Sequence, residues 1–158
     1  MQEKSQKLLE QAYDLCEDGN YVMALEYYDM ALDIEPDNLN VMVDKGVTLQ
    51  NLGRFNMALQ MYEKALYIEA ENLDALINKG SVLHSLKKYS EAISCYDAVL
   101  NHDKRNAIAL AYKGLSIGEM GNISSAIKYF KKALRMDQGY DLARISLLTS
   151  KNILKNVS

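Results

Sequence analysis

The chain has little of what interrupts a helix. Its 158 residues include one proline, Pro36, and no tryptophan. A proline inside a helix costs about 3 kcal/mol, so this composition favours helix nearly throughout. Only two cysteines occur, Cys16 and Cys95. They form no metal-type or redox-type pair and are expected to be buried or half-buried thiols. No apolar run is long enough to span a bilayer. The opening Met1-Gln2-Glu3-Lys4 begins no signal-peptide stretch. The expectation is a cytoplasmic protein that does not enter a membrane. Without secretion, the glycosylation triplets Asn122-Ile123-Ser124 and Asn156-Val157-Ser158 carry no meaning.

Chemical motifs are missing as well. The chain has no phosphate loop, paired-cysteine zinc motif, His-Glu metalloprotease helix or serine elbow. Its two histidines, His84 and His102, lack convergent carboxylates in the sequence pattern. The expectation is a non-enzyme with no catalytic residue, metal, cofactor or small-molecule substrate.

A period is what the chain does have. Ala24, Ala58, Ala92 and Ala126 recur every 34 residues. Tyr28, Tyr62, Tyr96 and Phe130 keep the same step, as do Leu32, Leu66, Leu100 and Leu134. Gly46, Gly80 and Gly114 form another column, with Ala12 in the corresponding earlier place. A fixed period of this size marks a repeat array, which holds a shaped surface for a partner.

Within residues 39–72, Met42, Val43, Leu49 and Leu52 follow helical spacing until Gly53 breaks it. A second stripe, Ala58, Leu59, Tyr62, Ala65 and Leu66, belongs to a helix from near Asn56 to Ile68. Each repeat is therefore helix, short turn, helix. The Gly46 and Ala58 columns are read as small residues that bring the two helix axes close. Gly19, Gly53 and Gly121 mark left-handed turn positions. Lys87 stands in that column, so its turn must differ or be strained. Asn38, Asn72 and Asn106 precede first helices as N-caps.

These columns resemble the tetratricopeptide repeat family over residues 5–38, 39–72, 73–106 and 107–140. The chain departs from the family pattern at Lys45, Lys79 and Lys113, which replace a leucine. It departs again at Ala70, Lys104 and Gln138, which replace a proline retained as Pro36. The resemblance implies an all-α, α-solenoid domain over residues 1–158, wound as a right-handed superhelix. A capping helix is expected over 141–155, covering the last repeat with Leu142, Ile145, Leu148 and Ile153. It also implies first helices that line a concave groove for an extended peptide or a partner's helix. The groove face holds Leu9, Tyr13, Val43, Val47, Ile77 and Leu115, flanked by Glu10, Glu17, Asp44, Asp74, Asn78, His84, Tyr112 and Glu119. Of these, Val43 and Ile77, with Ala111, also suit packing between neighbouring first helices.

Some members of the family clamp the carboxylate end of heat-shock chaperones with cations. The matching places here are Leu9, Tyr13, Asp44, Asp74 and Asn78, or, one repeat on, Val43, Val47, Asn78, Ile108 and Tyr112. Neither register supplies a cation, and an acidic groove repels such a tail. The expected ligand is a basic, partly apolar protein segment. A second candidate surface, on the second helices, is Val22, Met23, Tyr27, Met30, Met57 and Met61. Lys128, Lys131, Lys132 and Arg135 make a basic face, read as solvated and not as a nucleic-acid site.

Net charge is -3, but residues 1–72 carry 14 acidic and 5 basic side chains, and residues 73–158 carry 7 and 13. That polarity motivates an alternative to the adaptor, a structural protein assembling with copies of itself head to tail.

Overall fold

The computed structural model describes residues 1–157; Ser158, which closes the second glycosylation triplet, lies outside the described residues. Among the described residues there are nine helices and no strand. Four helix pairs follow in order: α1 (Gln2–Glu17) with α2 (Tyr21–Ile34), α3 (Leu39–Asn51) with α4 (Phe55–Ile68), α5 (Leu73–Ser85) with α6 (Tyr89–His102), and α7 (Ala107–Glu119) with α8 (Ile123–Met136). Helix α9 (Asp141–Val157) ends the series. The chain divides into two compact units, Met1–Val82 and Leu83–Ser158, with the boundary inside α5.

The alanine and aromatic columns form the core of every pair. Ala24, Ala58, Ala92 and Ala126 are all fully buried, and so are Tyr28, Tyr62, Tyr96 and Phe130 apart from a trace. The asparagine column caps as expected. Asn38, Asn72 and Asn106 accept hydrogen bonds from the backbone N–H groups of Val41, Ala75 and Ala109.

The glycine column works differently from its reading as an axis-to-axis contact. An added Cβ on Gly46 would lie 2.4 Å from the Tyr62 ring, and one on Gly114 would lie 2.8 Å from the Phe130 ring. These glycines seat a flat aromatic face. In the last pair it is Ala126 that meets a glycine, Gly118, where a Cβ would sit 3.5 Å from the Ala126 methyl.

The turn column is conformational. Gly19, Gly53 and Gly121 have φ of 76°, 72° and 91°, and Lys87 adopts the same turn at φ 61°. In all four turns this residue's N–H donates to a carbonyl three residues back: Cys16, Gln50, His84 or Gly118. Lys87 therefore strains in place and does not alter the turn.

Two interactions tie one repeat to the next. Lys45, Lys79 and Lys113 pair with Asp29, Glu63 and Asp97 on the preceding second helix. Their stems are largely covered, and Lys113 also lies over the Tyr129 ring at 4.7 Å. The second tie is a polar rung between successive first helices. Cys16 meets Thr48 at 3.5 Å, Gln50 donates to Ser81 at 3.1 Å, and His84 meets Ser116 at 2.9 Å.

Helix α9 departs from expectation. Ile145, Leu148 and Ile153 are exposed, and the buried positions are Ala143 and Ser150. Small side chains at these two positions let α9 lie close on its unit, with Leu142, Ser146 and Leu147 half-buried at the edges of the contact. Arg144, Lys151 and Lys155 are exposed, as expected.

Candidate functional site

In the first unit, the exposed side of α1, α3 and α5 carries most of the predicted groove residues. Tyr13 is 43% exposed and its hydroxyl donates to Asp44 Oδ2 at 2.7 Å. Burial and the bond to Asp44 push the Tyr13 hydroxyl up to about 12. Asp44 is half-buried. Its carboxyl is raised above the ordinary value by burial, and in smaller part by the neighbouring Asp74 charge, against the opposing bond from Tyr13. An ionised carboxylate accepts several hydrogen bonds, so Asp44 retains capacity for a further donor. Leu9, Val47, Ile77 and Asn78 are half-buried, while Glu10, Glu17 and Asp74 are exposed. The Asn78 amide turns back to the Asp74 carbonyl at 2.9 Å. Val43 is only 8% exposed and packs inward, offering a ligand little surface.

In the second unit, Leu115 and Glu119 lie together on the wall of a cleft of about 290 Å³ between α7 and α9. Gly114, Gly118, Ile123 and Phe130 contribute from the α7–α8 side. Ile145, Ser146, Thr149, Ser150 and Ile153 form the α9 wall. Glu119 is exposed and accepts a long hydrogen bond, 3.5 Å, from the Tyr89 hydroxyl. His84 is half-buried, edge-on to Tyr89 at 5.2 Å. Burial holds its pKa below the ordinary value, and the Glu119 charge opposes that shift. Tyr112 is half-buried and lies edge-on to Tyr96 at 5.9 Å.

On the second helices of the first unit, Val22, Met23, Met30 and Met57 are each about half exposed. Tyr27 is half-buried, and Met61 is buried and drops out of that surface. Sequence reasoning missed a wider cleft on the same unit. It has a volume of about 600 Å³ and is lined by Pro36, Asp37, Met42, Gln60, Glu63, Lys64, Tyr67 and Ile68. Tyr67 at its edge is 93% exposed. The available signal was Tyr67 itself, an aromatic residue in a column otherwise held by Asp33, Asn101 and Arg135.

Among the described residues, no group of three or more histidine, cysteine or acidic side chains is placed to hold a metal ion. No helix there is long and apolar enough to cross a membrane. The face is equipped for non-covalent contact: apolar side chains, carboxylates, and tyrosine hydroxyls that already have partners.

No curated protein sequence matches the chain. Solved structures do. One is a tetratricopeptide repeat protein from Parabacteroides merdae, at 25% identity and TM-score 0.81, covering 98% of this chain and 61% of that one. Pseudomonas aeruginosa PilF is similar at 21% identity and TM-score 0.86, with coverage of 98% and 71%. MamA from Desulfovibrio magneticus is similar at 21% identity and TM-score 0.78, with coverage of 98% and 93%. The tetratricopeptide repeat pattern matches residues 39–72, 73–106 and 105–140. With those repeats and the helix pairs they form, the chain belongs to the tetratricopeptide repeat family.

Proposed function

We propose that this protein is a non-enzymatic scaffold for protein–protein interaction, whose first-helix faces hold a basic, partly apolar segment of a partner. The reading treats residues 1–158 as one functional domain and places the protein in the cytoplasm. One observation carries it. In both units, carboxylates share the first helices with partly exposed apolar side chains: Asp44, which Asp74 neighbours, with Val47 one turn on along the same helix in one, and Glu119 with Leu115 in the other. No lysine or arginine occurs among the groove residues named above. Carboxylates of this kind select a cation, and the apolar neighbours reward a partner that also brings hydrocarbon. The test is a synthetic peptide array carrying basic, neutral and acidic versions of one apolar core. Preferential capture by the basic series is expected. Preferential capture by the acidic series overturns the reading.

A second reading, self-assembly, is favoured by the charge division. The unit Met1–Val82 holds 15 acidic and 6 basic side chains, and the remainder holds 6 and 12. Net charges of opposite sign on two parts of one chain attract copies of that chain to each other.

A further inference from the structure

Helix α9 has 17 residues, against 13 in each of α3, α5 and α7. The extra length is about one turn, roughly 6 Å. Its inward line runs through Ala143 and Ser150, both buried, with Leu147 half-buried between them. At helical spacing the same line continues through Leu154 to Val157. Every side chain from Lys151 to Val157 is exposed, and Val157 is 81% exposed. The apolar stripe therefore outlasts the surface on which it packs. Lys151 and Lys155 flank it, giving a short amphipathic helix end with cationic edges.

The complementary surface is the cleft beside Tyr67. Its hydrocarbon comes from Pro36, Met42, Tyr67 and Ile68, and Asp37 stands on its rim. Glu63 is engaged with Lys79 at 3.5 Å, and among the described lining residues Lys64 is the one cation. The cleft belongs to the unit with a net charge of -9, and α9 belongs to the unit with +6. Apolar stripe meets apolar wall, and cationic edges meet an anionic field.

We infer that the exposed end of α9 docks in the Tyr67 cleft of a second copy of this chain. This rests on the self-assembly reading and gives it a site. The contact is heterologous: each copy has one donor and one acceptor, so copies join into a ring or an open chain.

Sedimentation velocity on the full chain over a range of concentrations tests it, with the variants Tyr67→Ala and Val157→Asp. Both side chains are highly exposed, so both variants should fold, and circular dichroism checks that. The parent should associate at low salt and dissociate as salt rises. Each variant alone should weaken association at least about tenfold. A mixture of the two should recover it partly, because Tyr67→Ala keeps an intact α9 and Val157→Asp keeps an intact cleft. The mixture should stop at a heterodimer. Association that both variants leave unchanged overturns the site while self-assembly stands. Failure of the mixture to recover overturns the head-to-tail arrangement. A parent that stays monomeric at low salt overturns both the site and the self-assembly reading.

Discussion

Lys87 shows how a repeat tolerates one wrong residue. Its turn keeps the hydrogen bonds of its equivalents, so the lysine must take the left-handed backbone that glycine takes elsewhere. A Cβ costs about 1–2 kcal/mol in that region. Lys87→Gly relieves this but adds freedom to the unfolded chain. The expected net gain is about 0.5–1 kcal/mol, read as a higher urea midpoint. Gly46 is a different case, because its constraint is room and not backbone angle. Gly46→Ala drives a methyl group into the Tyr62 ring and should cost about 1–3 kcal/mol. Pairing it with Tyr62→Leu should give less than the sum of the two losses, since the variants share one contact. Additive losses would show that the ring is not the obstacle. The glycine column was legible from its period, but its partner was not. Periodicity reports that a contact recurs, and leaves open whether the glycine at 46 meets the alanine at 58 or the ring at 62.

Helix pairs, turns and caps were readable because each rests on local chemistry: an apolar stripe, a left-handed residue, an asparagine before a helix. The orientation of α9 was not readable. Leu142, Ile145, Leu148 and Ile153 make a plausible stripe, yet the inward line is the smaller-residue one through Ala143 and Ser150. A half-apolar helix offers two such stripes, and the shape of the surface beneath chooses between them. The joint between α5 and α7 was also hidden, because His84 looked like a groove residue. It bonds Ser116, which is fully buried, with Tyr89 and Glu119 close by. Its folded pKa lies below the ordinary 6.5, mainly through burial. Between that lowered value and 6.5 the unfolded chain binds more protons than the folded one, so stability should fall as pH falls through this window. His84→Gln places at the joint the residue found at Gln50, which already spans the equivalent joint to Ser81. This variant should flatten the stability profile as pH falls through 6.5. Equal slopes for parent and variant in urea titrations would remove His84 as the source.

At the scale of the whole molecule, the scaffold reading depends on where charge and hydrocarbon meet. The class was legible in the 34-residue period, because a stacked array of helix pairs presents extended faces. The ligand was legible only as a preference, because the period carries no information about what the faces hold. Asp44 is the sharpest handle. It is half-buried, already accepts a hydrogen bond from Tyr13, and lies near Asp74; burial and that neighbouring charge raise its pKa, so a bound cation would favour its charged form. Glu119 plays the corresponding part beside Leu115, at the rim of the α7–α9 cleft. Asp44→Lys with Glu119→Lys reverses the sign at both places. Glu119 is exposed, so its reversal should leave the second unit folded. Asp44→Lys removes the partner of the Tyr13 hydroxyl, which water can replace because Tyr13 is exposed. Circular dichroism should therefore match the parent while basic peptides lose affinity and acidic ones gain it. A short segment that loses chain entropy on binding should show micromolar affinity in the parent. Rim charges are screened within about 8–10 Å at ordinary ionic strength, so salt should weaken the parent's binding more than that of the reversed variant toward the same basic peptide. The apolar side chains should leave a residual affinity that salt does not remove. If the folded double variant binds basic peptides as well as the parent does, the first-helix faces are not the site, and the half-exposed methionines of α2 and α4 become the surface to mutate next.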